Sequence, residues 1–296
     1  MNRVLVLGNA GIDLGVRLPR LPVAGETLPG VGAGRAPGGK GLNQAVVAAR
    51  AGAAVHLLAP LGTDAAADEI AVALAAEGFA GLDLPRLPHA TDFSVLMVLP
   101  GGENCITGAG PCAAAFSVEP AAAFAAKARP GDLLLVQGNL SQEATAAALA
   151  AAQGARTLLN PAPLWWDPAP LLPLCRIVVA NRGEAETLSG EADPARAAAW
   201  LRAAGVGLAI VTLGAEGCLA MDGAGLRRWP AQPVDVVDTT GCGDTVCGVL
   251  AAGLAAGMSL DAAIPWAQRA AAKTASRPGA FAALPTADEL AGCRLI

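Results

Sequence analysis

A carboxylate in the first turn of a glycine-opened helix is the residue of this sequence with the clearest chemistry. In VDTTGCGDTVCGVLAAGLAAG, residues 237–257, Gly241 and Gly243 flank Cys242 just before Asp244, and a long Ala, Leu and Val run follows. A Gly-x-Gly turn entering a helix presents successive backbone N–H groups at the positive end of the helix dipole. Gly241, Cys242 and Gly243 are therefore expected to form a nest for the charge on a transferring phosphoryl group. Asp244, beside that nest, can take the proton of an incoming hydroxyl. The segment alone is equally compatible with a helix cap and a turn, because Asp is common near helix N-termini.

A second glycine cluster, APGGKGLNQAVVAARAG at 36–52, also runs into a helix, with Gly52 as its C-terminal stop. Gly34 completes GxxxxGK through Lys40, but Gly41 stands where a P-loop needs Ser or Thr, and no strand leads directly into it. A P-loop NTPase is excluded. The tight Gly39-Lys40-Gly41 turn, followed by Asn43, instead suits close hydrogen bonding to sugar hydroxyls. Near the start, Gly8, Gly11 and Gly15 in LGNAGIDLG lack GxGxxG spacing, and a Pro-rich stretch follows where a dinucleotide fold needs a helix. An NAD-linked oxidoreductase would rest on that segment alone. Asp13, directly after the first strand, lies where α/β sheets bind ligands and could clamp two hydroxyls or simply stand solvated in a turn. Asn181 and Glu184 in NRGEAETL, and Thr212, Gly214 and Gly217 in TLGAEGC, follow strands and could face phosphate, metal or ribose. Taken singly, they read as caps and turns.

These residues need a scaffold. Short β-branched runs at 3–8, 54–59, 132–136, 156–160, 176–180 and 208–213 alternate with Ala-rich helical stretches at 41–51, 64–77, 118–128, 141–153 and 193–204. Such alternation predicts an α/β fold with a mostly parallel sheet covered on both faces. Helix is expected again over 243–276. Two segments break the rhythm: the Pro- and Gly-rich 13–36, and 92–107, which reads as a hairpin around Gly101 and Gly102. Together they predict a small antiparallel flap able to exclude water from a reaction. No repeat, linker or domain boundary interrupts the 296 residues, so a single domain spanning 1–296 is expected.

Bulk composition excludes other classes. The hydrophobic fraction is 54%, but Gly, Pro or charge interrupts every apolar run short of a membrane span. The opening MNRVLVLG reads as a strand rather than a secretory leader. Seven Cys without a CxxC pair, and only two His, favour neither a disulfide framework nor a zinc site, so a cytoplasmic location is expected. A net charge of −5 with dispersed Lys and Arg lacks a nucleic-acid-binding stripe.

In this order, the segments resemble the ribokinase-like (PfkB) carbohydrate kinase family, and its ribokinase branch most closely. The likeness runs from Gly8 to about Pro285 and rests on GGKGLNQAVVAARAG and DTTGCGDTVCGVLAAG, with LNPAP at 159–163, NRGEAE at 181–186 and TLGAEG at 212–217 between them. It implies a three-layer sandwich with a β-lid, and transfer of the ATP γ-phosphoryl to a primary hydroxyl of a small sugar, ribose first. Asp244 becomes the catalytic base, with the amides of Gly241, Cys242 and Gly243 as an anion hole. Gly11, Asp13, Gly39, Lys40, Gly41, Asn43 and Asn139 correspond to sugar contacts. Asn181, Glu184, Thr212, Gly214, Gly217, Gly243 and Gln268 correspond to the nucleotide site, with Glu184 reaching Mg²⁺ through water.

The resemblance further implies a potassium site at Asp238, Thr240, Thr274, Arg277 and Gly279, and a homodimer clasped through the lid. Three positions depart from the pattern. Gly11 and Asn139 replace a sugar-binding Asn and Glu, and Ala283 replaces a Ser near the cation site. The first two leave another pentose, a hexose, a keto-deoxy sugar acid or a nucleoside open as acceptor. A catalytically idle sugar- or nucleotide-binding regulator is the alternative outside the enzyme class.

Overall fold

The computed structural model describes residues 2–294. Nine strands form the main sheet: β1 (Arg3–Leu7), β4 (Ala54–Leu58), β5 (Gly81–Asp83), β8 (Leu133–Gln137), β9 (Arg156–Asn160), β10 (Ile177–Asn181), β11 (Leu208–Thr212), β12 (Cys218–Asp222) and β13 (Gly225–Trp229). Their order across the sheet is β13-β12-β11-β10-β9-β8-β1-β4-β5. The strands from β5 to β11 pair in parallel, and the β12–β13 hairpin closes the edge antiparallel. A parallel strand is covered on both faces, which is why β8 reads LLLVQ and is buried along its whole length.

A second sheet of four strands, ordered β3-β2-β6-β7, contains β2 (Gly11–Arg17), β3 (Val31–Gly38), β6 (Asp92–Val98) and β7 (Asn104–Ala109). This is the flap expected from 13–36 and 92–107, except that β2 and β6 pair in parallel. The β6–β7 turn is made by Gly101 and Gly102 at φ 92° and 84°, conformations that side-chain-bearing residues rarely adopt.

Ten α-helices lie among the described residues: α1 (Lys40–Arg50), α2 (Ala65–Ala75), α3 (Pro111–Ala115), α4 (Val118–Ala125), α5 (Gln142–Ala151), α6 (Arg182–Ser189), α7 (Pro194–Ala203), α8 (Cys242–Ala255), α9 (Leu260–Ala275) and α10 (Ala287–Arg294). Alternation along β1 divides them into two layers. Val4 and Val6 pack with α1, α2, α8, α9 and α10, while Leu5 and Leu7 pack with α3 to α7. The helix expected over 243–276 is broken, because Gly257 at φ 81° ends one helix and Ser259 begins the next. The β12–β13 hairpin was not anticipated from the sequence, and α6 only as a helical face that Asn181 and Glu184 could share. Asn181 starts α6 through a capping box with Glu184, and left-handed Gly190 ends it, after eight residues of which only Ala185 is buried.

Two features of this frame place the chemistry. Only Gly8, Asn9 and Ala10 separate β1 from β2, and only Gly39 separates β3 from α1, so the second sheet is tethered directly to the core beside the start of α1. In addition, α1 and α8 pack closely: a Cβ at Gly248 would lie 2.7 Å from the Gln44 carbonyl oxygen and 2.8 Å from Val47 Cβ. The absent side chain lets the two helix N-termini converge.

Candidate active site

Asp244 sits in the first turn of α8, buried, against the first turn of α1. Its Oδ2 accepts a hydrogen bond from Asn43 Nδ2 at 3.1 Å and its Oδ1 one from Gln44 Nε2 at 2.9 Å. Lys40 Nζ lies 4.0 Å from Oδ1. Burial alone would lower the Lys40 ammonium, but the carboxylates of Asp244, Glu184 and Asp13 outweigh it and hold the group above its ordinary value.

The glycine turn before Asp244 forms with Gly241 left-handed at φ 79°. One expectation is corrected here: the Cys242 amide turns back to the Thr239 carbonyl at 3.2 Å rather than out toward the cavity. The Gly243 and Asp244 amides lie too early in α8 to bond within the helix, so they are the donors left at its positive end. The Cys242 thiol, pushed up to about 12 by burial and by the charges of Asp238 and Asp244, is no nucleophile.

A cavity of about 610 Å³ opens in front of Asp244 and is lined by Gly11, Asp13, Gly39, Lys40, Asn43 and Asn139, among others. Asp13, on β2, is raised to about 7, first by burial and then by the charge of Asp244, against a smaller opposing pull from Ser94 and Lys40. Its carboxylate occupies the space a side chain would need at Gly38, where a Cβ would fall 2.1 Å from Asp13 Oδ2. Gly39 is left-handed at φ 98°. Gly41 does not line this cavity: a Cβ there would stand 2.7 Å from the Asn9 backbone and Gly8 Cα, so its role is to seat α1 against the end of β1.

Several buried polar groups were missed by sequence reasoning. Asp92 accepts the Cys112 amide at 2.9 Å through Oδ1, leaves Oδ2 without a partner among the described residues, and is pushed up to about 6 by burial. Asn43 Oδ1 and Asn139 Oδ1 are likewise unpartnered among those residues, in the wall of the same cavity. Buried polar atoms normally find partners, so open acceptors clustered at a cavity mark a place for ligand hydroxyls. Gln44, Gln137 and Asn160 form a buried chain behind Asp244. A sequence signal for it existed: Asn43 and Gln44 interrupt a helix otherwise sheathed in core, and Gln137 and Asn160 end fully buried strands.

The cavity continues past Asp244 to Asn181, Glu184 and Thr212. Asn181 Oδ1 accepts the Glu184 amide at 2.8 Å, while the Asn181 amide and Nδ2 donate to the Glu184 carboxylate at 2.9 and 2.8 Å. Burial raises the Glu184 carboxyl, partly offset by the Asn181 amide and Lys40. A second cavity of about 580 Å³ shares Thr212, Thr239 and Gly243 with the first and is lined mainly by Ala, Val, Leu and Ile, with Gly214, Gly217 and Gln268 at its wall. Gln268 Nε2 donates to the Trp229 carbonyl at 3.4 Å. One polar and one apolar chamber thus meet at the glycine turn.

The residues assigned to a potassium site fall into two groups. Asp238 is buried; its Oδ1 accepts the Thr240 amide and hydroxyl at 2.9 and 2.6 Å, and its Oδ2 accepts the Gly279 amide at 2.9 Å. The Thr274 hydroxyl is instead held at 2.8 Å from that of Thr245, and Arg277 pairs with Glu289. Those two side chains point elsewhere, which leaves only their carbonyl oxygens for a cation, and that of Thr274 already accepts the Arg277 amide at 3.1 Å. Among the described residues no cluster of three or more His, Cys, Asp or Glu could hold a metal by itself.

A profile described as "pfkB family carbohydrate kinase" matches residues 1–287. The ribokinase of Haemophilus influenzae is 33% identical over 292 residues, covering 96% of this chain and 95% of that one. The ribokinase of Bacillus subtilis is 31% identical over 297 residues, covering 98% of each. The solved structure of Arabidopsis thaliana ribokinase complexed with ribose and ATP superposes with a TM-score of 0.85 at 25% identity, covering 100% of both chains.

Proposed function

Because this chain belongs to the pfkB family of carbohydrate kinases, we propose that it transfers the γ-phosphoryl group of ATP to the primary hydroxyl of ribose. The observation that carries this reading is the meeting of Asp244, the free first-turn amides of α8 and a polar cavity containing Asp13 and Asn43 at one point. The sugar lies in the polar chamber, with Asp13, Gly39 and Asn43 taking its hydroxyls. ATP lies across the glycine turn, with its adenine in the apolar chamber beside Gln268 and its phosphates toward Asn181 and Gly243. Asp244 takes the proton of the attacking hydroxyl, that oxygen bonds to the γ-phosphorus, and the bond to the bridging β-phosphate oxygen breaks to release ADP. The Gly243 and Asp244 amides and Lys40 face the charge on the moving group. The four-stranded sheet closes over the acceptor and excludes water, which would otherwise compete as nucleophile.

The residues present fit a divalent ion. Each Glu184 oxygen takes one bond from Asn181 and keeps a lone pair, so this carboxylate would help hold Mg²⁺, through a bridging water, beside the phosphates. When bound, the ion neutralises β- and γ-phosphate charge. Potassium would be held by carbonyls of Thr240, Thr274, Arg277 and Gly279 around the Asp238 loop, where Ala283 supplies no hydroxyl. The exposed edges of the lid supply the contact for a second copy.

The test is ADP release with a panel of ribose, other pentoses, hexoses, a keto-deoxy sugar acid and nucleosides. Ribose is expected to give the highest kcat/KM, and Asp244→Asn to lower kcat by about 10²–10⁴ without loss of fold. A better acceptor than ribose overturns the substrate. Sugar binding without turnover, unchanged in Asp244→Asn, overturns the enzyme in favour of a regulator.

A further inference from the structure

The Asp244 carboxylate is oriented from behind by a residue that no substrate can touch. Gln44 is 0% exposed and lines neither cavity, yet its Nε2 donates to Asp244 Oδ1 at 2.9 Å. The second hydrogen of the same nitrogen goes to Asn160 Oδ1 at 3.0 Å, and Gln44 Oε1 accepts from Gln137 Nε2 at 2.9 Å. Asn160 is held in turn by its Nδ2, which donates to the Val179 carbonyl at 2.9 Å.

The direction of this chain is set at one end. An ionised carboxylate only accepts, so Gln44 must present its nitrogen to Asp244 and therefore its oxygen to Gln137. Gln137 must then present its own nitrogen, which leaves Gln137 Oε1 buried and without a partner among the described residues. An orphaned buried carbonyl opposes folding, and packing for its own sake would not retain it. Its presence follows if every amide in the row is turned to aim a donor at Asp244.

We propose that Gln44 is the positioning residue for the catalytic base, with Gln137 fixing the orientation of its amide. With Asn43 on Oδ2 and Gln44 on Oδ1, both oxygens of the carboxylate are anchored at the wall of the cavity proposed to take the acceptor hydroxyl. The inference rests on Asp244 being the base in the reaction proposed above.

The experiment compares kcat and KM of the wild-type enzyme, Gln44→Met, Gln44→Glu and Gln137→Met with ribose and ATP, alongside thermal melting of each. Gln44→Met keeps the volume and removes the donor. Its kcat is expected to fall by about 10- to 100-fold, the worth of one charge-assisted hydrogen bond, with both KM values within about threefold of wild type. Gln44→Glu sets a second carboxyl against Asp244 and is expected to lose at least as much. Gln137→Met, further back, is expected to lose about 3- to 10-fold and stands as the folded test if Gln44→Met does not fold.

A wild-type kcat in folded Gln44→Met overturns the proposal, as does a raised sugar KM at unchanged kcat. So does an unchanged kcat in Gln137→Met should the Gln44 variants not fold. Absence of turnover in the wild-type protein overturns the reading of the site itself, and the positioning role with it.

Discussion

Asp13, proposed above as a sugar contact, is buried at the expense of stability in the unliganded protein, and the cost has a definite sign with pH. Its carboxyl is raised from 3.8 to about 7, first by burial and then by the neighbouring charge of Asp244. The folded state therefore holds a proton that the unfolded chain releases near pH 4. Stability from this group is fully present below pH 4, falls between about pH 4 and 7, and is absent above 7. A gap of about three pH units, at about 1.4 kcal/mol each, gives about 4 kcal/mol. The side chain is only half-buried by its accessible surface, so water screens part of this and about 2 kcal/mol is the expected size. Asp13→Asn removes the ionisation and keeps the shape beside Gly38. Chemical unfolding of the unliganded wild type and variant at pH 5 and pH 8 measures the difference. Asp92, raised to about 6 by burial, and Glu289, lowered to about 2 by Arg277, titrate alike in both proteins and cancel. The variant is expected to be more stable at pH 8 by about 2 kcal/mol, to lose most of that gain at pH 5, and to bind ribose more weakly. Parallel stability curves in the two proteins, or a variant less stable at pH 8, would refute the argument.

Gly248→Ala drives a methyl group into the Gln44 carbonyl and Val47 where α1 meets α8. It is expected to cost about 1–3 kcal/mol in urea unfolding and to lower kcat by displacing Asn43 and Gln44, whereas a neutral result would mean the helices can separate freely. Replacing potassium by choline in the assay is expected to slow turnover several-fold. Asp238→Ala, which frees the loop holding Thr240 and Gly279, is expected to abolish the difference between the two salts. Identical rates for the wild type in both salts would remove the cation from the mechanism.

The architecture was legible because parallel strands declare themselves. RVLVL, AVHLL, LLLVQ, RTLLN, IVVAN and LAIVT are short, apolar and separated by helical stretches, and each forms a strand within a residue or two of expectation. The β12–β13 hairpin was not legible. Its second strand, GLRRW, is an exposed edge whose charges give no clean alternation, and charged edges are how sheets avoid further pairing. The lid was foreseen as two irregular segments, but the parallel pairing of β2 with β6 joins residues 11–17 to 92–98, a register that no local pattern specifies.

The site divides along the same line between local and distant causes. Asp244, Asn43, Lys40 and Asn181 stand at helix starts, where glycine turns and caps mark them in the sequence. Gln44 stands out in the sequence only as a polar residue within an apolar helix; what it holds could not be read until α8 was packed on α1, because its partner is 200 positions away. The Cys242 amide shows the reverse error. A Gly-x-Gly pattern guarantees a turn but not which of its N–H groups the turn consumes, and the Thr239 carbonyl claims this one. Asp92 joins both lessons: as the first residue of a lid strand it looks like surface, and only the closure of the lid onto α3 buries it with one oxygen unspent. Its free oxygen lines the same cavity as the unpartnered Asn139 Oδ1 and adds a hydrogen-bond acceptor there. The acceptor panel therefore reads more than identity. A preference for sugars carrying a hydroxyl that Asp92→Asn no longer distinguishes would place acceptor selection on the lid rather than on the core.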